Sequence, residues 1–235
     1  MARFMLYPWR RGIPVKTNVA LLGGACLALG VACSGHAALL GPTAYTSSAD
    51  SPFAPFSGFT YWYLEDFEDG LFNVPGVTAT GSGLCIVNPC FANTGLVDSV
   101  ENGQAGHNHW ASGSITYAFD ASILGALPNA VGIVWTDGIN NITFQAYDET
   151  NALIGTLVGS HADDNFFGGT AEDRFYGVTT SGGISRIVIS DPSGIEVDHL
   201  QYGLRGALVP VPEPATLALL GIGLAGLGLS RRKRN

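Results

Sequence analysis

The sequence predicts an all-β protein built as an antiparallel β-sandwich, and three observations predict it. Short runs in the middle of the chain alternate apolar and polar residues with period two, the mark of a half-buried strand. Gly, Asn, Asp and Pro separate those runs, as tight turns require. No window carries an apolar stripe at helical spacing. Many short strands joined by such turns bury their apolar faces by packing two sheets together.

Taken in order, residues 38–57 hold a stretch rich in Ser and Pro and read as a loose lead-in. The sandwich itself is expected over 58–208. "FTYWYLEDF", from Phe59 to Phe67, is the first strand, and regular alternation puts Trp62, Leu64, Asp66 and Glu68 on one face. Residues 93–113 are rich in Gly and Asn and read as a long loop. "SITYAFD" then sets Ile115, Tyr117 and Phe119 against Thr116, Ala118 and Asp120. "VGIVWTD" and "NITFQAYD" follow, and the second turns through Asp148-Glu149-Thr150-Asn151 into "ALIGTLVG" as a hairpin. "RFYGVTT", "ISRIVIS" and "IEVDHLQYG" close the domain. In the last strand, alternation groups Glu196, Asp198, Leu200 and Tyr202. There is no internal repeat.

Charge narrows the partners. Residues 38–208 hold 18 acids, three arginines (Arg174, Arg186, Arg205) and no lysine, a net charge of −15 with His neutral. Such a surface repels nucleic acid. Cys85 and Cys90 stand close together in "CIVNPC". In an oxidising compartment that pair reads as a disulfide closing a small loop, the alternatives being free or metal-bound thiols.

The two ends are addresses. Arg3, Arg10, Arg11 and Lys16 precede an apolar run from Val19 to Cys33, and Gly35-His36-Ala37 offers small residues for signal-peptidase cleavage. Residues 1–37 therefore read as a secretory signal peptide. Gly30, three before Cys33, argues against a lipoprotein signal. At the other end, residues 209–235 hold Pro212-Glu213-Pro214, an uncharged Leu/Gly-rich span over 215–230 and the basic cluster Arg231, Arg232, Lys233 and Arg234. As a helix that span is short for a bilayer crossing. The basic cluster would hold its end in the cytoplasm.

Those three features, in that order, resemble the PEP-CTERM sorting signal of Gram-negative bacteria. The resemblance implies transient insertion of the tail in the inner membrane. An exosortase then recognises the tripeptide and removes the tail, and the product reaches the cell surface or the extracellular matrix, often beside exopolysaccharide. The alternative is a permanent tail anchor.

Several groups in the middle are candidates for chemistry. Acids in phase with apolar residues are costly to turn inward unless they are paired or bound to a cation, and calcium is one remedy. Phe67-Glu68-Asp69-Gly70 near the start and Val197-Asp198 near the end resemble the first and last strands of jelly-roll carbohydrate-binding modules. That resemblance implies a jelly-roll-like sandwich with a structural calcium held by Glu68 and Asp198 where those strands meet. His199 departs from the pattern, and solvated strand ends are the other reading. "HADDN" (161–165) and the pair His107 and His109 read as loop or metal site. Tyr61, Trp62, Tyr63, Trp110 and Trp135 are candidate sugar-stacking rings, or core.

No Gly-x-Ser-x-Gly elbow, His-Glu-x-x-His or phosphate-binding glycine loop is present. The expectation is a non-enzymatic surface or matrix protein associated with exopolysaccharide. The alternative is a secreted glycan-active enzyme using paired carboxylates.

Overall fold

The computed structural model describes residues 37–86, 100, 107–164 and 172–206, all within one compact unit, Gly35–Asn235. Among the described residues there are twelve strands: β1 (Ala38–Ala44), β2 (Phe59–Glu65), β3 (Val77–Gly81), β4 (Cys85–Ile86), β5 (His109–Ala111), β6 (Ser114–Phe119), β7 (Ala130–Asp137), β8 (Ile142–Asp148), β9 (Leu153–Gly159), β10 (Arg174–Thr179), β11 (Ile184–Ser190) and β12 (Ile195–Arg205). A short helix, α1 (Ala121–Leu124), starts where the Asp120 carboxylate accepts the Ser122 N–H, and a 3-10 turn spans Ser48–Asp50.

All pairings are antiparallel, in two sheets. One runs β1-β10-β7-β12-β5-β4, with β2 also on β12; the other runs β3-β6-β11-β8-β9. The predicted hairpin joins β8 to β9. Asn151 takes φ 65° there, and the Asp148 carboxylate accepts the N–H groups of Thr150 and Ala152. Between the sheets lies a core that includes Ile115, Tyr117, Ile133, Trp135, Phe144, Ile187, Val197, Leu200 and Tyr202.

Two expectations are corrected. Within the expected lead-in, Ala38–Ala44 is strand β1, paired with β10. The chain then lays Tyr45 and Phe53 over the outer face of the larger sheet, where they join Val134 and Phe175 in a second core. The Ser and Pro residues that suggested looseness only turn the chain between these two buried rings. Likewise His109–Ala111, expected as loop, is strand β5; three residues are too few for alternation to reveal.

The phasing of β12 also differs from regular alternation. Asp198 lies opposite Val134 and Gln201 opposite Gly132, so β12 carries one residue more than β7 across this interval. His199 sits in that bulge at φ 45°. Ile195 and Val197 face the inner core before it, Leu200 and Tyr202 after it. The bulge therefore separates Glu196 and Asp198 from the two apolar residues expected to share their face.

The outer core depends on two glycines. Gly132 and Gly177 are register partners on β7 and β10. A Cβ at Gly132 would lie 2.1 Å from Phe175 Cζ, and one at Gly177 2.6 Å from Phe175 Cε1. The ring lies in the slot they leave, edge-on to Phe53 with centroids 5.4 Å apart. Gly132→Ala should therefore cost about 1–3 kcal/mol by overpacking, read as a lower midpoint in chemical denaturation with an unchanged slope.

Candidate functional site

β2 and β12 bring the two ends of the domain together. Glu65 lies opposite Leu200 and Trp62 opposite Gly203. The expected proximity of the first long strand near Glu65 to the last strand near Leu200 is thus present. The acids within it are arranged differently. β2 ends at Glu65, and Phe67 takes φ 55°, which breaks the alternation. Glu68 consequently lies exposed, its carboxylate accepting the His107 N–H at 2.9 Å. The inward carboxylate is Glu65, which accepts the N–H groups of Phe67, Asn73 and Val74 at 3.0, 3.1 and 3.4 Å. It fastens the turn after β2 to the sheet.

Asp198 is buried and accepts the His199 N–H at 2.5 Å. Its charge and that of Glu65 act on Tyr117, whose hydroxyl burial holds well above its ordinary value. Burial also raises Glu65. His109 pairs through Nδ1 with the Tyr117 hydroxyl at 2.9 Å and packs against Phe67 and Phe72. Its partners are thus a hydroxyl and two rings. Among the described residues no three His, Cys, Asp or Glu side chains form a ready-made metal cage.

Of the five aromatic candidates, Trp135 is fully buried in the inner core, edge-on to His161. It cannot offer a face to a sugar. Tyr61 and Tyr63 turn toward the same core: the Tyr61 hydroxyl donates to the Ala126 carbonyl at 2.7 Å, and Tyr63 packs on Tyr202. Burial, then the neighbouring Tyr63, pushes the Tyr61 hydroxyl up to about 12. Trp110, half-buried on β5, runs beside Gly194.

Trp62 is different. It lies on the outer face of β2 across Gly203, where a Cβ would meet the indole at 2.7 Å. Phe56 stacks on it with centroids 4.9 Å apart and planes at 26°. Phe59 packs beside it, and the Arg205 guanidinium sits 4.7 Å from the Phe59 ring centre. Phe56 is the exposed ring of this group, at 38%. Sequence reading did not single it out, because it falls between prolines and serines rather than in a strand pattern.

Cys85, half-buried in β4, pairs with Trp110 in the ladder. Cys90, residues 93–99 and 101–106 of the expected loop, Asn165, Pro212-Glu213-Pro214, the span 215–230 and the basic tail lie outside the described residues, as do residues 1–36. No described helix is long and apolar enough to cross a membrane.

The fold and its surface define an acidic antiparallel sandwich with a stacked aromatic patch on one sheet. What the chain carries beyond that fold is a sorting tail: residues 210–233 match the PEP-CTERM protein-sorting motif. That motif marks an exported protein. Two solved structures show weak likeness. One is a mutant of CBM29-2, described as probing ligand recognition by family 29 carbohydrate-binding modules. It is 12% identical, with a TM-score of 0.35 over 66% of this chain and 99% of that chain. The other is TmCBM61 in complex with β-1,4-galactotriose, 17% identical, with a TM-score of 0.29 over 60% of this chain and 91% of that chain. At those scores the likeness says nothing of what this chain binds. No curated protein matches the chain.

The buried histidine gives a pH test. Burial lowers His109 to about 4, from 6.5 in an unfolded chain. Between those values the unfolded chain holds the extra proton, so stability falls as pH drops through the window. The loss attributable to His109 approaches about 3 kcal/mol at its lower end. His109→Gln should therefore show a flatter decline in melting temperature from pH 6.5 to 4 than the natural protein. The difference between the two curves isolates this residue from Glu65, whose raised value acts with the opposite sign.

Proposed function

We propose that this is an exosortase-processed protein of the cell surface or extracellular matrix. Its sandwich binds exopolysaccharide or another matrix component without catalysing a reaction. The observation that carries the reading is the conjunction of a PEP-CTERM sorting motif at 210–233 with a sandwich that holds the exposed Phe56 ring stacked on the partly buried Trp62. A ring held flat offers a π face to the C–H groups of a sugar and loses little freedom on binding. A domain with 18 acids and three arginines supplies solubility rather than attraction to an acidic polymer, so the aromatic patch is where contact is assigned. Nothing in the β2–β12 seam favours the glycan-active enzyme: Glu65 is engaged by three backbone amides and Asp198 by the His199 amide.

Processing is tested by intact mass. The exported protein should end near Pro212-Glu213-Pro214 and lack Arg231 to Arg234. A mature species retaining those residues would identify a tail anchor instead.

Binding is tested by Phe56→Ala. Retention on exopolysaccharide from the producing cells should weaken roughly two- to tenfold, the worth of one stacked aromatic contact. The melting temperature should stay nearly constant, because the ring is already partly in solvent. Equal retention of both proteins would remove the patch from the binding role.

A further inference from the structure

The acids of the domain are kept off the smaller sheet. Its five strands, β3, β6, β8, β9 and β11, hold one acid, Asp148, and one basic residue, Arg186. Residues 38–208 as a whole hold 18 acids and three arginines. The Asp148 carboxylate is engaged within its own hairpin, by the Thr150 and Ala152 N–H groups and the Thr150 hydroxyl. Tyr117, Phe144, Ile187 and Ile189 point into the core. The residues that alternate with them, among them Gln145, Tyr147 and Arg186, therefore form the outer face. In the ladder Arg186 lies opposite Tyr147, and Tyr147 opposite Leu153.

Direct contacts hold Arg186 in place. Its guanidinium carbon sits 3.5 Å from the Tyr147 ring centre, a cation–π stack. Its Nε donates to Asn151 Oδ1 at 2.7 Å. Asn151 is the left-handed residue of the β8–β9 turn, so the turn that joins the hairpin also supplies the acceptor. The Tyr147 hydroxyl in turn donates to Gln145 Oε1 at 3.2 Å. These contacts use one face of the guanidinium and its Nε. Among the described residues, neither terminal nitrogen of Arg186 has a hydrogen-bond or ion-pair partner. Beside this group Leu153 and Val158 are 53% and 61% exposed.

We propose that Arg186 binds the carboxylate of a uronic acid unit in a polysaccharide that lies across the outer face of the smaller sheet. The two terminal nitrogens carry paired N–H donors, the geometry that a carboxylate accepts bidentately. The stack on Tyr147 and the bond to Asn151 orient that fork beforehand, which lowers the ordering cost of binding. Gln145, Thr143 and Thr156 bring amide and hydroxyl groups for sugar hydroxyls, and Leu153 and Val158 bring apolar surface for the C–H faces of the ring. A nucleic acid or polyphosphate would need several cations, and these strands carry one. The net charge of the domain opposes an acidic polymer at a distance. Salt confines that effect to about 8 Å at physiological strength, and within these strands the acid is the hairpin-bound Asp148. The site lies on the other sheet from the Phe56–Trp62 patch, so either can fail without the other.

The test is calorimetric titration of the purified protein at neutral pH with hexamers of galacturonic, glucuronic and mannuronic acid and with their methyl esters. EDTA is present throughout, to remove calcium bridges between carboxylates. An acid hexamer should bind, and its ester, which keeps the ring and loses the charge, should bind about tenfold more weakly or worse, the worth of a charge-assisted hydrogen-bonded pair. Arg186→Gln should bind the acid as weakly as the natural protein binds the ester. Arg186→Lys keeps the charge without the fork and should recover only part of the affinity. Phe56→Ala should bind the acid as the natural protein does. The proposal is overturned if no acid hexamer binds, if acid and ester bind alike, or if Arg186→Gln matches the natural protein. It is equally overturned if Phe56→Ala alone abolishes binding, which assigns the contact to the other sheet. A dimer in sedimentation that Arg186→Gln dissolves, with no hexamer bound, would assign the face to a second copy of the chain and overturn it too. Should Arg186→Gln fail to fold, the acid and ester titrations of the natural protein decide.

Discussion

The sandwich depends on one constraint: Ile195–Gly203 is buried at every residue, so β12 must be paired on both edges and covered on both faces. On one edge it pairs with β7. On the other it is shared between β5 near its start and β2 near its end. The second sheet covers its inner face. Its outer face carries Gln201, which would be stranded without polar partners. The segment after β1 supplies them: Gln201 donates to the Tyr45 hydroxyl at 2.9 Å and accepts from Ser51 at 2.5 Å, while Tyr45 also meets His199 Nδ1 at 2.8 Å. The segment that follows β1 thus completes the last strand.

This cover explains why the larger sheet has aromatic chemistry on its outside. Tyr45, Phe53 and Phe175 form a second core that excludes water from β7 and β10. At the margin of that core, Trp62 is edge-on to Phe53 on one side and stacked on Phe56 on another. Phe56 is seated through Trp62, which itself packs on the buried Phe53. In the proposed binding role, a surface ring stacked on a neighbour has less freedom to lose when a ligand binds.

The acids are handled in contrasting ways. Glu65 is buried with three backbone N–H donors, and it fastens a turn. Asp137 and Glu172 are buried with one oxygen each unmatched. The first arrangement is self-sufficient hydrogen bonding; in the second, burial favours the neutral acid.

The sequence by itself determined the strand content from β6 onward, the β8–β9 hairpin and the sorting motif at 210–233. Period-two alternation, Asx turn chemistry and the order Pro-Glu-Pro, apolar span, basic cluster are all local signals, readable without knowing what lies nearby. Alternation fails wherever a strand is irregular. The left-handed residues Phe67 and His199 each break the phase, and nothing in their side chains announces it. So Glu68, expected inside, is outside, and Glu65 takes its place. Burial likewise depends on what folds over a residue. Trp135 and Trp62 sit in similar apolar runs, yet one lies between the sheets and the other on the outer face beneath Phe56. Only the tertiary structure decided which aromatic ring meets solvent and which carboxylates are left without partners, because both depend on neighbours distant in the chain.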